Sequence, residues 1–414
     1  MRWILFILLV LFVIGTRSKI ISRGANYLRG FTAVFFMMAM VRLASTLWSS
    51  DPAYTAMRGL SLVTMGILVC YFVGELRTRK QISILNYTLI AWLFFLIVPG
   101  LLLYSVGIKT APFSEFEMER GWHARYSGIL GNPNQIAICA AVLGPLVIAS
   151  WLDSKKPWLI GLYLATIISV YLCGSRAGLL TQVLALITVP ALASRKMSVG
   201  AWIVVVLVFA LLNPIVLDEA KEYITRGKSG GLEEVASNRS SRWELGVESL
   251  KKRPLLGQGY GIGGVPKSER LSKTGVDRGY PLHNSYLQAL QENGIIGTIP
   301  FLLILIMVLK VIVSRNGQIT NELRYLHAGF ASAFLCGCGS AFFESWMVSV
   351  GNLGTLPFWC ACGVVVSISK RPGLRSRSQK RFHPRGASRE VRTPGWTGSG
   401  QNAEGKQGRK SHRG

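Results

Sequence analysis

Long apolar runs that carry almost no charge constrain this chain more than any other feature. Runs such as 83–104, 199–217 and 295–313 each reach the roughly 17 to 25 residues that a helix needs to cross a bilayer. A soluble helix keeps a polar face, whereas these runs are apolar on all sides. The composition agrees, with 50% hydrophobic and only 16% charged residues over 414 positions. We therefore predict an all-α, polytopic membrane protein.

We expect about 10–12 transmembrane helices, eleven if the short run at the N-terminus crosses the membrane and ten if it does not. That run has no small-residue cleavage pattern after it and a basic flank, so we interpret it as a first membrane segment rather than a signal peptide. The predicted spans are 3–15, 31–49, 56–74, 83–104, 135–152, 158–174, 177–193, 199–217, 286–313, 325–345 and 347–369.

Four parts follow from this pattern. Residues 1–217 hold the N-terminal transmembrane helices, 218–285 a large extracytoplasmic loop with short helices, and 286–369 the C-terminal transmembrane helices. Residues 370–414 are rich in Arg, Gly and Ser, which predicts a disordered basic cytoplasmic tail.

The distribution of basic residues predicts the orientation. Short cytoplasmic loops collect Lys and Arg, and the basic loops of this chain are separated from one another by two spans each. These loops are TRSKIISRGANYLRG, ELRTRKQ, DSKKP, SRKMS and SRNGQITNELR. The alternate loops, with Arg176 and His283, then lie on the extracytoplasmic face of the membrane.

The net charge of +26 lies mainly in these loops and in the tail. We interpret the tail as solvated chain near anionic membrane lipids, and we expect no nucleic-acid partner. The seven cysteines lie in apolar segments without zinc-like or redox spacing, and the acidic cluster Glu115, Glu117 and Glu119 is typical of a solvated surface. We predict neither a metal site nor a cofactor.

His283 is the leading candidate for chemistry. It precedes a helical pattern that ends at Gly294, and the positive end of a helix dipole favours a neutral imidazole, which can accept a proton. Asn284 either orients a polar partner or caps this helix. Arg176, in the tight turn CGSRAGLL, has the fork geometry that binds phosphate oxygens, the alternative being a side chain that extends to the interface. Arg125, Arg239 and Arg242 are weaker candidates for the same role.

Local signals place the start of other helices. In GNPNQIA, Asn132 either caps a helix with Pro133 at the first helical position or supports the site, as we also expect for Gly294 and Gly297. In WSSDP the cap is Ser50 or Asp51. Trp243, Val247 and Leu250 have helical spacing and predict an amphipathic helix at the outer interface. The stretch GQGYGIGG, 257–264, lacks the strand and the Lys of a phosphate-binding loop, so we expect a flexible turn.

Taken in order, five motifs resemble the O-antigen ligase and polymerase family. They are WSSDP, GNPNQIA, GSRAGLL, RWELGVESLKKRPLLGQGYG, and His283-Asn284 followed after nine residues by Gly294-Ile-Ile-Gly297. The resemblance implies a GT-C-like fold and metal-independent transfer of a glycan from undecaprenyl diphosphate to a hydroxyl of a glycan, lipid A core or protein acceptor.

The same resemblance implies roles for single residues. His283 would activate the acceptor, and Arg176 and Arg242 would match the arginines that hold the diphosphate. The Arg-Trp context favours Arg242 over Arg239. Ligase and polymerase are not distinguished, because family members of both kinds carry these motifs.

Two other classes of function compete with this one. A transporter or flippase of a polysaccharide precursor would show inverted repeats, broken helices or ionisable residues at the membrane midplane. No internal repeat is evident in the sequence, and its charged residues gather in loops. A membrane scaffold that displays its tail would leave His283 dispensable.

Overall fold

The structure is a computed structural model. It describes residues 20–108, 126–130, 132–194, 231–264, 281–315 and 319–370. The predicted spans 3–15 and 199–217, the cluster at 115–119, Arg125 and the tail from 371 lie outside these residues, as does the Arg239 side chain.

The described residues form ten α-helices and no β-strand. The helices are α1 (Ile20–Ala44), α2 (Pro52–Glu75), α3 (Arg79–Ser105), α4 (Pro133–Ser154), α5 (Pro157–Leu172), α6 (Arg176–Ala193), α7 (Gly231–Lys252), α8 (Ser285–Arg315), α9 (Arg324–Ala341) and α10 (Thr355–Lys370). Two short 3₁₀ turns, Ser45–Leu47 and Asn321–Leu323, follow α1 and precede α9.

Six stretches of helix within the described residues are long and apolar enough to cross a membrane. They lie in α1 with its 3₁₀ turn, α2, α3, α4, α6 and α8, and α5 and α10 are shorter apolar helices. Large apolar side chains stay exposed along them, among them Leu60, Phe95 and Ile306 at 56%, 64% and 59%. A soluble protein covers such surfaces, whereas a bilayer solvates them. The prediction of an all-α, polytopic membrane protein is confirmed.

Two predicted spans differ from the structure. The span predicted as 31–49 belongs to α1, which begins at Ile20, inside the stretch predicted as a loop. The run 347–369 was expected to be helical throughout, but α10 begins only at Thr355. Residues 342–354 form a series of turns, because the Thr355 hydroxyl donates to the carbonyls of Trp346 and Ser349 at 2.9 and 2.8 Å and holds the preceding chain in a loop. This turn segment, 342–354, contributes directly to the candidate site.

The predicted helix starts at Asp51 and Asn132 are confirmed. The Asp51 carboxylate accepts from the Tyr54 amide at 3.0 Å, with Pro52 at the first helical position. The Asn132 side chain accepts from the Asn134 amide at 2.9 Å, ahead of Pro133. Both caps satisfy amides that a helix start leaves without partners.

Contacts between helices show which ends share a face of the bundle. Two residues join α4 to α5 and three join α5 to α6, so these helices alternate in direction. Gly329, early in α9, packs against Ala149 near the end of α4, so α9 runs antiparallel to α4. Gly354, just before α10, packs against Ile138 near the start of α4.

We call the end where α2, α4, α6, α8 and α10 begin the site face. The ends of α1 and α3 lie there too, since the Ser45 hydroxyl accepts from the Tyr260 amide at 2.9 Å and Gly100 packs against Tyr126. At the opposite end, Arg79 pairs with Asp153 at 3.0 Å.

Candidate functional site

His283 pairs with a glutamate that is distant in sequence. Its Nδ1 lies 2.9 Å from Oε2 of Glu344 in the turn segment, and the two side chains are 25% and 14% exposed. A carboxylate only accepts hydrogen bonds, so this contact places the ring proton on Nδ1 and leaves the lone pair of Nε2 available to accept a proton. The residue has φ of 53°, a conformation rare outside glycine that is often found at functional sites.

The residues after His283 hold the turn segment in place. Asn284 caps α8, since its side-chain oxygen accepts from the amides of Tyr286 and Leu287 at 3.0 Å each, and its own amide donates to the Ser345 hydroxyl at 3.0 Å. The Ser285 hydroxyl donates to the carbonyl of Glu344 at 2.7 Å. The backbone around Glu344 is therefore tied to the start of α8, which orients the His283–Glu344 pair.

A break in α8 receives a second segment of the site. Gly294 has φ of 60° and ψ of −168°, values that interrupt the helix and that essentially only glycine adopts. The amides of Ile295 and Ile296 donate to the carbonyls of Pro254 and Leu255 at 2.9 and 3.2 Å. The backbone groups left by the break are thus satisfied by the neighbouring loop.

That neighbouring loop, 254–264, also satisfies the other side of the break. The amides of Gln258 and Gly259 donate to the carbonyls of Gln291 and Glu292 at 3.1 and 2.8 Å. Seven of the eight residues of GQGYGIGG are buried. The expectation of a flexible turn is wrong, because the glycines serve close backbone contact: a Cβ on Gly257 would lie under 3.0 Å from backbone atoms of α8.

Before the break, α8 is polar and enclosed, whereas after it the helix is apolar and exposed. Gln291, Glu292 and Asn293 are at most 2% exposed. From residue 295 onward, the exposed large apolar side chains are Ile295, Ile296, Ile299, Leu302, Leu303, Ile306, Leu309 and Val313. The part after the break, 295–315, is roughly 31 Å long, about the thickness of the hydrocarbon core.

A cavity of about 320 Å³ opens beside His283. Its walls come from the start of α2, loop 254–264, the first turns of α8 and the turn segment, and His283 lies between its lining residues Pro281 and Ser285. Arg58 is the basic residue of the described lining: its guanidinium donates to the Tyr54 hydroxyl and to the Ser349 hydroxyl at 3.1 Å each. The four segments therefore enclose a polar space next to the candidate base.

The ring of Tyr260 lies close to the guanidiniums of both Arg42 and Arg58. The Arg58 and Arg42 guanidiniums lie 5.3 and 5.8 Å from its ring centroid, which is within cation–π range. Its hydroxyl donates to the Val348 carbonyl, and burial raises the pKa of this phenol, so it stays neutral near pH 7.

Arg42 is fully buried and does not extend to the interface. One Nη donates to the carbonyls of Met38 and Gly297 at 3.4 and 3.5 Å, whereas Nε and the other Nη have no hydrogen-bond partner among the described residues. Its guanidinium is therefore held inside the bundle. The guanidinium contributes a positive charge directly behind Tyr260.

The two arginines predicted to bind diphosphate lie on the site face, outside the described cavity lining. Arg176 is the first residue of α6, where Ser175 caps the helix by accepting from the Gly178 amide at 3.2 Å. Arg242 is half-buried on α7. Its neighbour Trp243 donates to the carbonyl of Leu282, the residue before His283, at 3.0 Å. Helix α7 therefore packs against the His283 loop, and it is longer than predicted, from 231 to 252.

The remaining predicted site residues have structural positions. Asn132 caps α4, and Gly294 admits loop 254–264. Gly297 faces α1, where a Cβ would lie 3.3 Å from Val41. Sequence reasoning missed Glu344, Tyr260 and Glu292, and it assigned no role in the site to Arg58. For Tyr260, the aromatic and glycine content of GQGYGIGG was a usable signal. Glu344, Glu292 and Arg58 reach the site through packing between distant parts of the chain, so no local signal marks them.

Comparison with known proteins matches part of this chain. Residues 161–302 match a family described as O-antigen ligase, and this range includes Arg176, Arg242, His283, Asn284, Gly294 and Gly297. The chain is also similar to the exopolysaccharide production protein ExoQ of Rhizobium meliloti (strain 1021), with 32% identity over 82 residues, or 18% of this chain and 19% of the relative. The family resemblance predicted from the motifs is confirmed.

Proposed function

From the O-antigen ligase match over residues 161–302, we propose that this chain is a membrane glycosyltransferase of bacterial surface-polysaccharide assembly. It moves a glycan from undecaprenyl diphosphate to an acceptor hydroxyl of a glycan, lipid A core or protein. The observation that carries the proposal is the pairing of His283, which lies in the matched range, with Glu344 beside a partly open cavity lined by polar groups.

In the proposed step, Nε2 of His283 accepts the proton of the acceptor hydroxyl. The acceptor oxygen forms a bond to the anomeric carbon of the donor, and the bond from that carbon to the diphosphate oxygen breaks. The electron pair leaves with the lipid diphosphate, whose growing negative charge Arg176 and Arg242 stabilise. Glu344 holds the imidazole in the required tautomer, and the step uses no metal.

The proposed location is the extracytoplasmic face of the bacterial inner membrane. The opposite end of the described bundle carries the basic turns with Arg79, Lys155 and Lys156, and short basic loops favour the cytoplasm. Cytosolic nucleotide sugars are absent outside, which favours a donor that already sits in the lipid.

The break in α8 is a feature that a flippase would also show. Here, however, the break is filled by hydrogen bonds from loop 254–264 and does not present a free helix end to a pathway. The geometry therefore favours the transferase over the transporter.

The test is transfer in proteoliposomes that contain undecaprenyl diphosphate-linked oligosaccharide and a candidate acceptor. We expect His283→Ala to lower the rate of glycan transfer by about 10²- to 10⁴-fold, because a general base contributes roughly that factor. The exposed Arg79→Gln at the opposite end serves as the matched control and should transfer normally. Gel mobility of the glycan and release of undecaprenyl diphosphate measure the step. Unchanged transfer by a correctly inserted His283→Ala protein would contradict the mechanism.

A further inference from the structure

The cavity has an unusual balance of charge. Arg58 and Glu292 both line it, and Arg42 lies behind the Tyr260 wall. The described ion pairs are Arg79–Asp153 and His283–Glu344, so neither Arg58 nor Arg42 is neutralised by direct contact with a described carboxylate. Within the described lining, Arg58 is the cation and Glu292 the anion, and no direct contact joins them, while Arg42 adds a second guanidinium behind Tyr260. Buried charge of this kind is costly unless a partner of opposite sign completes the site.

Hydrogen-bond donors and acceptors lie at different sides of the cavity. The hydroxyl of Ser349 accepts from Arg58 and keeps its own proton to donate, so both groups offer donors at one side of the cavity. Glu292, on α8, accepts from the Gln288 side-chain amide at 2.8 Å. A carboxylate and an amide are groups that bind sugar hydroxyls. The cavity thus combines an anion-binding side with a hydroxyl-binding side.

The volume and walls fit one sugar ring with its substituents. At about 320 Å³ the cavity is at the small end of ligand pockets, and Tyr54, Tyr260 and Trp346 supply aromatic walls. A lipid diphosphate would bring at least two negative charges close to Glu292, which repels them. A single carboxylate, on a ring whose hydroxyls reach Glu292, instead gives Arg58 one anionic partner and keeps that charge away from Glu292.

On the basis of the proposed function, we infer that this cavity is a subsite for a glycan unit that bears one carboxylate, such as a uronic acid. Arg58 and Ser349 bind the carboxylate, and Glu292 with Gln288 binds hydroxyls. Because His283 lies at the edge of the cavity, the acidic unit sits next to the reacting end of the glycan. The subsite is separate from the diphosphate, which lies with Arg176 and Arg242.

Binding of simple sugars to the His283→Ala protein in lipid nanodiscs tests this inference without turnover. The probes are methyl glucuronoside, its neutral amide and methyl glucoside, with affinities from calorimetry or saturation-transfer NMR. We expect the glucuronoside to bind about tenfold or more tightly than the amide, as a charge-assisted hydrogen bond provides. Arg58→Gln should remove this preference, Arg58→Lys should keep part of it, and Arg79→Gln should keep all of it.

Comparison of the acid with its amide needs no substitution in the cavity, so the test holds even if Arg58→Gln does not fold. Equal affinity for acid and amide, or no binding of either at millimolar concentration, overturns the inference. Displacement of the glucuronoside by pyrophosphate at matched ionic strength would also overturn it, because the cavity would then be a phosphate site. If transfer depends on His283 but binding is not charge-selective, this inference fails and the proposed function stands. If binding is selective but His283→Ala transfers normally, the proposed function fails instead.

Discussion

Gly294→Ala should disrupt the site without touching any group that we assign to chemistry. A Cβ at this position would lie under 3.0 Å from backbone atoms of Leu255 and Leu256, and backbone cannot rotate away as a side chain does. The strain of a positive φ costs about 1–3 kcal/mol, and overpacking costs a similar amount. If loop 254–264 moves instead, the bonds to Ile295 and Ile296 are lost at about 1 kcal/mol each. We expect the free energy of unfolding to fall by roughly 3–5 kcal/mol.

The assay is unfolding of the purified protein in mixed micelles, followed by tryptophan fluorescence, together with hydrogen exchange at the amides of Ile295 and Ile296. Gly161→Ala is the matched control, because it is a helical glycine whose added Cβ would meet nothing within 4 Å. Alanine there should leave stability unchanged or raise it by about 1 kcal/mol at most. Equal stability of the two variants, with both amides still protected, would refute the explanation of the break.

Two further predictions concern the pair at the site and the orientation of the chain. Glu344→Ala should lower the transfer rate by about ten- to a hundredfold, by analogy with the carboxylates that orient metal-binding histidines. Glu344→Gln keeps an acceptor for Nδ1–H and should lose less activity, and equal losses in transfer assays would contradict the positioning role. A cysteine in place of the exposed Lys251 on the site face should react with an impermeant maleimide in intact spheroplasts, whereas one in place of the exposed Lys155 should react only after lysis. The reverse labelling pattern would invert the proposed topology.

Much of the fold was predictable because its signals are local. Apolar runs located α2 to α6, α8 and α9 to within several residues, and the caps at Asp51 and Asn132 followed from Pro and side-chain chemistry within one turn. Apolar composition was misleading in one place. The start of α10 was placed too early, because residues 347–354 are apolar enough for a span and are kept in turns by the Thr355 hydroxyl.

The candidate site was only partly predictable because its partners are distant in sequence. His283 and its capping neighbour were found from local pattern, but Glu344 is 61 residues away and no local rule connects them. Arg58 meets Ser349 across 291 residues for the same reason. The buried state of GQGYGIGG depends on the break at Gly294, and a glycine-rich stretch alone is compatible with both an exposed turn and a docked one.

The break at Gly294 divides α8 into two parts whose sequences are under different evolutionary constraints. One side of 295–315 is exposed and apolar, so its length and character respond to the thickness and composition of the bilayer. Ser285, Gln288 and Glu292 of the first part line the cavity, so under the proposed function they respond to the glycan. Loop 254–264 seals the joint between them with backbone hydrogen bonds, so we expect that the exposed side chains after the break and the cavity-lining ones before it can be exchanged separately. The buried sides stay coupled, because the rings of Tyr286 and Phe301 lie 6.1 Å apart. A relative adapted to a thicker membrane can therefore keep its sugar specificity, and one adapted to a new sugar can keep its membrane.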